Sequence, residues 1–324
     1  MTELRLPTGS PGSRILGIGS SQPERVVTND ELSKIMDTND EWIRDRVGIA
    51  ERRFGTAEDT VVSMAVDAGS KAIAAAGLSP TDLDTVLVAT CTSTVPIPNA
   101  AAQVADLVGV KAAGGYDINS ACAGFCYALA TASDMVRAGS AGRVLVIGSE
   151  KLTDVVDPVD RSTAIIFADA AGAAVVGPSD EAGIGPVAWG TAGDLADAIK
   201  MPDGRYIFQE GQSVFRWATT KIAPIALRAL ELAGVHPSEV DVLIPHQANL
   251  RIVEAIAKRL RKAGAREDMV VADDIVTSGN TSSASIPMAM DHMRAAGRVH
   301  SGDVALLIGF GAGLSYAGQV VICP

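Results

Sequence analysis

AGLSPTDLD at residues 76–84 and AGVHPSEVD at residues 233–241 are two copies of one pattern, separated by 157 residues. The same offset relates Asp117 and Ile118 to Asp274 and Ile275, and a later trio, Asp134, Arg137 and Ala138, to Asp291, Arg294 and Ala295. Agreement at one offset over separate regions indicates an internal duplication. The alternative is an ordinary helix-to-strand connection, in which Gly ends a helix and Pro opens a turn. We predict two similar halves, residues 1–178 and residues 179–324.

Helix and strand patterns surround the first copy. The predicted elements are helices at 60–76, 99–107 and 124–138 and buried strands at 85–90, 144–147 and 171–176. Alternation of helices and strands predicts a mainly parallel sheet in each half. Equivalent loops of the two halves should face each other, so a site at that junction would use residues from both.

Composition limits the classes of protein. The chain has 324 residues, of which 48% are hydrophobic and 20% charged, enough to bury roughly 75% of its unfolded surface. The longest apolar runs, such as residues 144–147 and 304–309, are far shorter than the roughly 18 residues that span a membrane. No apolar segment follows the charges of the N-terminus, MTELRLPTGSPGSR, which predicts a cytoplasmic protein.

Charge and cysteine spacing exclude further classes. The net charge of −11 argues against nucleic acid as a partner. Cysteines at 91, 122, 126 and 323 show no C-x-x-C spacing, which argues against both a disulfide framework and a metal site. We therefore expect reduced thiols, one of which is reactive.

Cys122 is the candidate nucleophile. It lies in NSACAGF (residues 119–125), where a turn precedes a helix that begins at Gly124. The free N–H groups and positive dipole of a helix N-terminus favour a thiolate, and the flanking small residues leave room for a thioester. The alternative is a small buried hydrophobe. That second interpretation suits Cys126, one turn further along.

His246 and Asn280 are the candidate partners of Cys122. His246 follows the predicted buried strand of the second half, in IPHQAN (residues 244–249), where the ends of strands commonly carry function. An imidazole in such a loop would titrate near neutrality. Asn280 lies in SGNTSSAS (residues 278–285), before a helix that begins near Ile286. At the 157-residue offset Asn280 corresponds to Ala123. Each motif alone also fits a satisfied polar residue or a capped turn.

Taken together, the motifs resemble a known family. DINSACAGF, PHQANLRI, SGNTSSASIP and GFGAGLSYAG, with TNDEWI at 38–43 and Asp160-Arg161, resemble β-ketoacyl-acyl-carrier-protein synthase III of the thiolase superfamily. The likeness runs from about Arg14 to Val321. It implies an α/β, thiolase-like fold, with duplicated βαβαβαββ halves packed as five layers (αβαβα).

The resemblance implies a decarboxylative Claisen condensation that initiates fatty acid synthesis. Cys122 would accept the acyl group from acyl-CoA, with its oxyanion on the backbone N–H groups of Cys122 and Ala312. Ala312 stands where relatives often have Gly, which matters only if the turn needs a positive φ. His246 and Asn280 would stabilise the enolate formed by decarboxylation of malonyl-acyl-carrier protein. No metal or redox cofactor is implied.

The resemblance also implies binding residues. For CoA and pantetheine they are Thr38, Trp42, Arg46, Arg161, Gly211 and Asn249. For the acyl pocket they are Ile97, Phe125 and Phe310, with Ile97 reaching across a homodimer interface. The acidic carrier protein would dock on Arg216, Lys221, Arg251, Lys258 and Arg259, extended by Arg261 and Lys262. The alternatives are a packed aromatic for Trp42, a salt bridge to Asp160 for Arg161 and a solvated face for Arg261 and Lys262.

Related condensing enzymes and a nucleotide-binding module are the alternative functions. Degradative thiolases need a second Cys near the C-terminus, elongating ketoacyl synthases need a second His in place of Asn280, and chalcone synthases carry GFGPG rather than GFGAG. A priming or acyl-transferring enzyme of polyketide biosynthesis shares the same triad and stays open, as does the choice of acyl primer. A nucleotide-binding module, suggested by GFGAG at 309–313, conflicts with the lack of chain after it to form the required strand-helix-strand unit.

Overall fold

The computed structural model describes residues 4–324, so the first three residues of the predicted N-terminal half lie outside the described part. The strands, in chain order, are β1 (Gly12–Ser21), β2 (Val26–Thr28), β3 (Glu51–Arg53), β4 (Thr85–Ala89), β5 (Gly114–Ile118), β6 (Val144–Lys151), β7 (Asp169–Ser179), β8 (Ala188–Thr191), β9 (Ile199–Lys200), β10 (Phe208–Gln209), β11 (Val242–Pro245), β12 (Val270–Val271), β13 (Val304–Gly311) and β14 (Ser315–Ile322). The α-helices are α1 (Asn29–Leu32), α2 (Asp40–Val47), α3 (Val61–Ala75), α4 (Ala100–Val108), α5 (Gly124–Ala138), α6 (Gly211–Ala233), α7 (Leu250–Lys262), α8 (Ile275–Ser278) and α9 (Ser285–Ala295).

Two five-stranded sheets form the framework. Their strand orders are β1-β7-β6-β4-β5 and β12-β11-β13-β14-β8. In the first sheet β4 runs parallel to β5 and β6, whereas β7 is antiparallel to β6 and β1. The second sheet repeats this arrangement, with β11 parallel to β12 and β13 and with β14 antiparallel to β13 and β8.

The prediction of mainly parallel sheets was therefore wrong. Half of the pairings in each sheet are antiparallel. In the second half, the reason lies in the last connection. β13 and β14 are joined by the turn Ala312–Leu314, which is too short for the helical crossover that parallel neighbours need.

The layers follow from side-chain alternation along the strands. Val86 and Val88 of β4 face α3 and α4 on the outer side of the first sheet, whereas Leu87 faces the central core with α5 and α9. The outer face of the second sheet packs on α6 and α7. Successive strand residues point to opposite faces, so each sheet is buried on both sides. The αβαβα order of the predicted thiolase-like fold is confirmed.

The repeated nonapeptide forms the same local structure twice. Gly77 and Gly234 both have positive φ angles, 67° and 68°, which end the preceding helix without the steric cost of a side chain. A short 3₁₀-helix with Pro in its first turn follows each, at Pro80–Asp82 and Pro237–Glu239. The duplication is thus present in the backbone conformation as well as in the amino-acid sequence.

Two segments outside the repeat lie near the site described below. Residues 22–60 carry α1, α2 and the β2–β3 pair. Residues 193–209 form a 3₁₀-helix, Gly193–Ala198, and the short β9–β10 hairpin. Across residues 4–324, no helix combines the length and apolarity needed to cross a membrane.

Candidate active site

A cavity of about 980 Å³ lies at the junction of the two halves. The predicted site residues that line it are Cys122, His246, Asn280, Phe310, Ala312, Trp42, Arg46, Arg161, Gly211, Asn249, Arg216 and Arg251. The predicted residues that do not line it are Thr38, Ile97, Phe125, Lys221, Lys258 and Arg259. The structure thus brings all three candidate catalytic side chains to one cavity.

Cys122 sits at the centre of the 3₁₀-turn Ala121–Ala123, directly before α5. The end of β13 passes very close to it. A Cβ added at Gly311 would lie 2.7 Å from the Cys122 Cβ and 3.0 Å from its Sγ. Gly311 is therefore required for close approach, a role that the sequence alone did not assign. Ala312 does not have a positive φ, which explains why Ala is tolerated there.

The environment of the Cys122 thiol opposes the thiolate in the free protein. Burial raises the pKa of Cys122 from 9.0 to about 12, aided by the charge of Glu150 and opposed by the Ser282 side chain. A rise from 9.0 to about 12 corresponds to about 4 kcal/mol, whereas a helix terminus stabilises a charge by about 0.3–1 kcal/mol. Desolvation therefore outweighs the helix dipole, and the expectation of a favoured thiolate was wrong.

His246 is a neutral imidazole. Its side chain is 1% exposed, and burial lowers its pKa from 6.5 to about 3. The expectation that it titrates near neutrality was wrong, because the residue continues β11 into the interior, with its N–H donating to the Ile308 carbonyl at 2.9 Å. The edge of Phe310 packs against the imidazole, with 5.3 Å between ring centroids.

The hydrogen bonds of His246 assign its tautomer. Nδ1 lies 2.7 Å from the Ser285 hydroxyl oxygen. The backbone N–H of Gln247 donates to that same oxygen at 3.4 Å. Among the described residues, Nδ1 is the only acceptor found for the Ser285 hydroxyl proton, so we assign that proton to Nδ1. Nε2 then carries the imidazole proton, which suits donation to an oxyanion.

Asn280 is held by backbone bonds on both sides. Its N–H donates to the Ile166 carbonyl and its carbonyl accepts from the Ala168 N–H, each at 2.9 Å. Its side-chain Oδ1 accepts from the Ser282 N–H at 2.9 Å. The oxygen end of the carboxamide is therefore engaged, and Nδ2 is the end available as a donor in the cavity that Asn280 lines.

The nucleophile loop and the Asn loop are related, but in a different register from the predicted one. Ala121 and Ser282 both have positive φ, 44° and 50°. Each begins or directly precedes a 3₁₀-turn, and the helices that follow begin at Gly124 and Ser285. The local offset is thus 161 residues, so Cys122 corresponds to Ser283.

The pairing of Asn280 with Ala123 was therefore wrong. The second half gains residues before the turn, around the short α8, and α9 has 11 residues where α5 has 15. The residues gained before the turn are balanced by those missing from α9. The offset between the two halves is therefore again 157 residues at Asp134 and Asp291. The expectation that the two loops meet is confirmed, since a Cβ added at Gly124 would lie 3.7 Å from the Ser283 Cβ and the Ser282 side chain hydrogen-bonds to the Cys122 thiol.

The three residues predicted around adenine and phosphate form one cluster. The Arg161 and Arg46 guanidinium carbons lie 4.8 Å and 5.6 Å from the Trp42 ring centroid. Arg161 also donates to the Asp37 carbonyl at 2.7 Å, so the alternative of a salt bridge to Asp160 was wrong. An adenine between Arg161 and Trp42 would have to displace Arg161 from the indole face.

Of the remaining residues predicted to contact CoA, Asn249 and Gly211 line the cavity and Thr38 does not. Asn249 caps α7 by accepting from the Arg251 N–H and donates to the Arg46 carbonyl at 3.1 Å. Gly211 begins α6 at the cavity wall. The Thr38 hydroxyl is buried with no hydrogen-bond partner among the described residues, away from the cavity lining.

The predicted acyl-pocket residues separate. Phe310 lines the cavity. Phe125 is 2% exposed and packs in the central core between the sheets, so its predicted place in the pocket wall was wrong. Ile97 is 85% exposed and contributes nothing to the cavity of its own chain.

The predicted docking residues lie on two helices, α6 and α7. Arg216 and Arg251 line the cavity, and Lys221, Lys258 and Arg259 occupy exposed positions of the same helices. Within residues 4–324 none of these five forms a salt bridge, whereas Arg261 lies 3.9 Å from Glu267. The patch carries uncompensated positive charge on a chain of net charge −11.

Sequence reasoning missed several polar residues of the site. Cys91 and Ser282 line the cavity beside Cys122, and burial raises the pKa of the Cys91 thiol. Ser285 and Glu150 lie behind the lining. The available signals were the density of Ser in residues 278–285 and the place of Glu150 at the carboxyl end of a buried strand.

The chain matches two models of one protein family. The family described as 3-oxoacyl-[acyl-carrier-protein (ACP)] synthase III matches residues 116–193, and its C-terminal part matches residues 230–323. The chain is 49% identical over 317 residues to beta-ketoacyl-[acyl-carrier-protein] synthase III 4 of Streptomyces coelicolor, covering 97% of this chain and 99% of the relative. It is 47% identical over 336 residues to the mycobacterial beta-ketoacyl-[acyl-carrier-protein] synthase III of Mycobacterium avium, covering 100% and 99%.

Solved structures agree. The priming β-ketosynthase from the R1128 polyketide biosynthetic pathway matches with a TM-score of 0.96 and 43% identity, covering 100% of this chain and 99% of that one. The 3-oxoacyl-[acyl-carrier-protein] synthase III from Aquifex aeolicus matches with a TM-score of 0.91 and 39% identity, covering 96% and 100%. Because relatives 47–49% identical are matched over 97–100% of this chain, the chain belongs to the 3-oxoacyl-[acyl-carrier-protein] synthase III family of acyl-transferring condensing enzymes.

Proposed function

We propose that this chain condenses an acyl-CoA primer with malonyl-acyl-carrier protein to give β-ketoacyl-acyl-carrier protein, the initiating step of fatty acid synthesis. One observation carries the assignment of roles. The Nε2–H of His246 and the Nδ2 of Asn280 are donors in the same cavity as the Cys122 thiol. This is the arrangement that stabilises an enolate beside an acyl-enzyme.

In the first half-reaction, the Cys122 sulfur attacks the thioester carbonyl of acyl-CoA. The Cys122–acyl bond forms, the bond to the CoA sulfur breaks, and the thiol proton leaves with CoA. We propose that the backbone N–H groups of Cys122 and Ala312 bind the oxyanion. The neutral thiol of the free protein implies that deprotonation accompanies attack rather than precedes it.

In the second half-reaction, malonyl-acyl-carrier protein loses CO₂ and becomes a thioester enolate. His246 and Asn280 donate to the enolate oxygen, and the carbanion attacks the acyl-Cys122 carbonyl. The carbon–sulfur bond breaks and Cys122 recovers a proton. The steps use the chain's own residues and acyl-CoA as a substrate, and we propose that no metal or redox cofactor takes part.

The basic patch and the arginines at Trp42 support the substrate order. Trp42, Arg46 and Arg161 would hold the nucleotide part of CoA, because guanidinium and indole both stack on purines and Arg binds phosphate. Arg216, Lys221, Arg251, Lys258 and Arg259 would receive the acidic carrier protein. Both substrates belong to the cytoplasm, where we propose that the protein acts.

We further propose a homodimer that pairs β5 with its copy. Strand β5 ends the first sheet, and an uncovered edge strand is a template for pairing. Apolar side chains stand exposed nearby, Ile97 and Val95 above all. Within β5, the side chain of Tyr116 is exposed, and its hydroxyl lies 3.6 Å from the Met135 sulfur. Pairing there would carry Ile97 into the partner's site.

The alternative is a priming enzyme of polyketide biosynthesis, favoured by the TM-score of 0.96 to such a ketosynthase. One assay tests both. The purified protein is incubated with malonyl-acyl-carrier protein and a panel of acyl-CoA primers, and CO₂ and β-ketoacyl-acyl-carrier protein are measured. Condensation on the carrier protein of fatty acid synthesis supports the proposal. Condensation confined to a polyketide carrier protein supports the alternative, and acyl transfer without CO₂ release contradicts both.

A further inference from the structure

Glu150 is a fully buried carboxylate that the reaction described above does not use. It is the penultimate residue of β6, has no exposed surface and does not line the cavity. Six groups lie within hydrogen-bonding distance of its two oxygens and can donate to them, although the Ser283 hydroxyl lies equally close to the Ala89 carbonyl. They are the Thr90 hydroxyl (3.2 Å), the Cys91 N–H (3.1 Å), the Cys91 thiol (3.4 Å), the Thr92 hydroxyl (2.6 Å), the Ser282 hydroxyl (3.0 Å) and the Ser283 hydroxyl (2.9 Å).

The donors come from both halves of the molecule. Residues 90–92 follow β4 in the first half, whereas Ser282 and Ser283 belong to the turn before α9 in the second. A buried charge is tolerated when hydrogen bonds replace its hydration. The carboxylate of Glu150 therefore ties the Asn280 loop to the nucleophile half of the molecule.

Ser282 connects Glu150 to Asn280 in the active site. Its φ of 50° lies in the left-handed region, which costs a non-Gly residue about 1–3 kcal/mol unless surrounding contacts hold it. Its hydroxyl bonds to Glu150, and its N–H holds the Oδ1 of Asn280. Rotation of Ser282 out of the left-handed region would move that N–H and release the Asn280 carboxamide.

Another buried carboxylate provides the contrast. Asp169 on β7 accepts from the Gly55 N–H and from the backbone and hydroxyl of Thr153. It has no exposed surface either, but none of its partners lines the cavity. Asp169 thus represents a buried carboxylate with a purely structural role.

We propose that Glu150 is a positioning residue for malonyl decarboxylation, whose carboxylate keeps Ser282 left-handed and thereby aims the Asn280 amide nitrogen into the cavity. The inference rests on the proposed roles of Asn280 and Cys122. It assigns Glu150 to the second half-reaction and not to the first.

The experiment compares the two half-reactions in the full chain. Acylation of Cys122 by acyl-CoA is followed by mass spectrometry, and decarboxylation of malonyl-acyl-carrier protein by CO₂ release. Glu150→Gln should lower decarboxylation about tenfold or more, less than the about 10²–10³-fold that removal of an oxyanion donor costs. Its acylation rate should not fall, because the Glu150 charge raises the pKa of Cys122 and its removal favours the thiolate. Glu150→Asp, which keeps the charge, should recover part of the loss.

Variants of Ser282 keep the proposal testable even if Glu150→Gln folds poorly. Ser282→Ala and Ser282→Gly both lose the hydroxyl, but only Gly adopts positive φ without strain. Ser282→Gly should therefore retain more decarboxylation than Ser282→Ala, and adding Glu150→Gln to Ser282→Gly should cost little more. Asp169→Asn should lower thermal stability without separating the two half-reactions.

The outcomes are distinct. Equal loss of acylation and decarboxylation in Glu150→Gln, as in Asp169→Asn, would overturn the inference, and so would equal activities of the Ser282→Ala and Ser282→Gly variants. If the wild-type protein performs neither half-reaction, the proposed function itself fails.

Discussion

The Nδ1 atom of His246 and the Ser285 hydroxyl oxygen lie 2.7 Å apart across 39 residues of sequence. His246 directly follows strand β11, and Ser285 is the first residue of helix α9. Within residues 4–324, Nδ1 is the only acceptor found for the Ser285 hydroxyl proton, so we assign that proton to Nδ1. This one contact decides which imidazole nitrogen donates to the substrate.

Removal of the Ser285 hydroxyl should weaken the enolate site. In Ser285→Ala the tautomer of His246 is no longer set, and we expect decarboxylation to fall about tenfold or more, within the about 10²–10³-fold range for loss of the donor. Acylation of Cys122 should change little. Ser13→Ala, which removes a buried hydroxyl bonded to Ser133 at 2.8 Å, is the matched control. A loss no larger than in this control would contradict the role of Ser285.

Cys122→Ala should separate the half-reactions in the opposite sense. The variant should form no acyl-enzyme with acyl-CoA, because the nucleophile is gone, while His246 and Asn280 still act on malonyl-acyl-carrier protein. CO₂ release should therefore stay measurable, and mass spectrometry should detect acylation of the wild-type protein alone. Detection of an acyl group on the Cys122→Ala chain would disprove the assignment.

The buried neutral His246 should make the protein sensitive to acid. Its pKa falls from 6.5 to about 3 on folding, so the unfolded state binds the proton first as the pH drops. The contribution of neutral His246 to the free energy of unfolding is fully present above pH 6.5. It decreases by about 1.4 kcal/mol for each pH unit between pH 6.5 and about pH 3. His246→Gln should flatten the decline in the free energy of unfolding between pH 6.5 and 5, measured by denaturant titration. Parallel declines in the two proteins would show that His246 is not neutral.

Charge reversal in the basic patch should weaken carrier-protein binding. Arg251→Glu with Lys258→Glu should raise the Michaelis constant for malonyl-acyl-carrier protein at low salt and leave the rate with excess substrate near the wild-type value. Salt should diminish the difference, because it screens exposed charges. The charge-matched control is Lys71→Glu with Lys111→Glu, on exposed positions away from the cavity. An unchanged Michaelis constant would refute the docking proposal.

The primer should be larger than acetyl. Ile97 is exposed in its own chain and would close the partner's pocket, where a Phe would leave less room. Each added methylene of the primer that is buried can contribute about 0.8 kcal/mol. Competition among acetyl-, isobutyryl- and octanoyl-CoA should favour a longer primer in the wild type and shift toward acetyl in Ile97→Phe. A preference for acetyl in both would mean that Ile97 does not set the pocket.

Short sequence patterns were sufficient to predict much of the secondary structure and the candidate catalytic residues of this protein. The nonapeptide repeat, the helix at residues 124–138 and the buried strands follow from short-range rules of turns, caps and hydrophobic alternation, and the motifs were enough to select Cys122, His246 and Asn280 and to indicate their family. These features depend on neighbours within a few residues, which the sequence contains directly.

Only the tertiary structure decided how those residues behave. Burial is a property of the whole fold, and it moves the pKa of Cys122 up and that of His246 down, against what each loop alone suggests. The equivalence of Cys122 with Ser283 was hidden because residues gained before one turn are lost from the helix after it. The contacts of Glu150 with Ser282 and of His246 with Ser285 join residues 132 and 39 positions apart. The first forms only when the two halves pack, and the second only when α9 packs against the end of β11 within the second half.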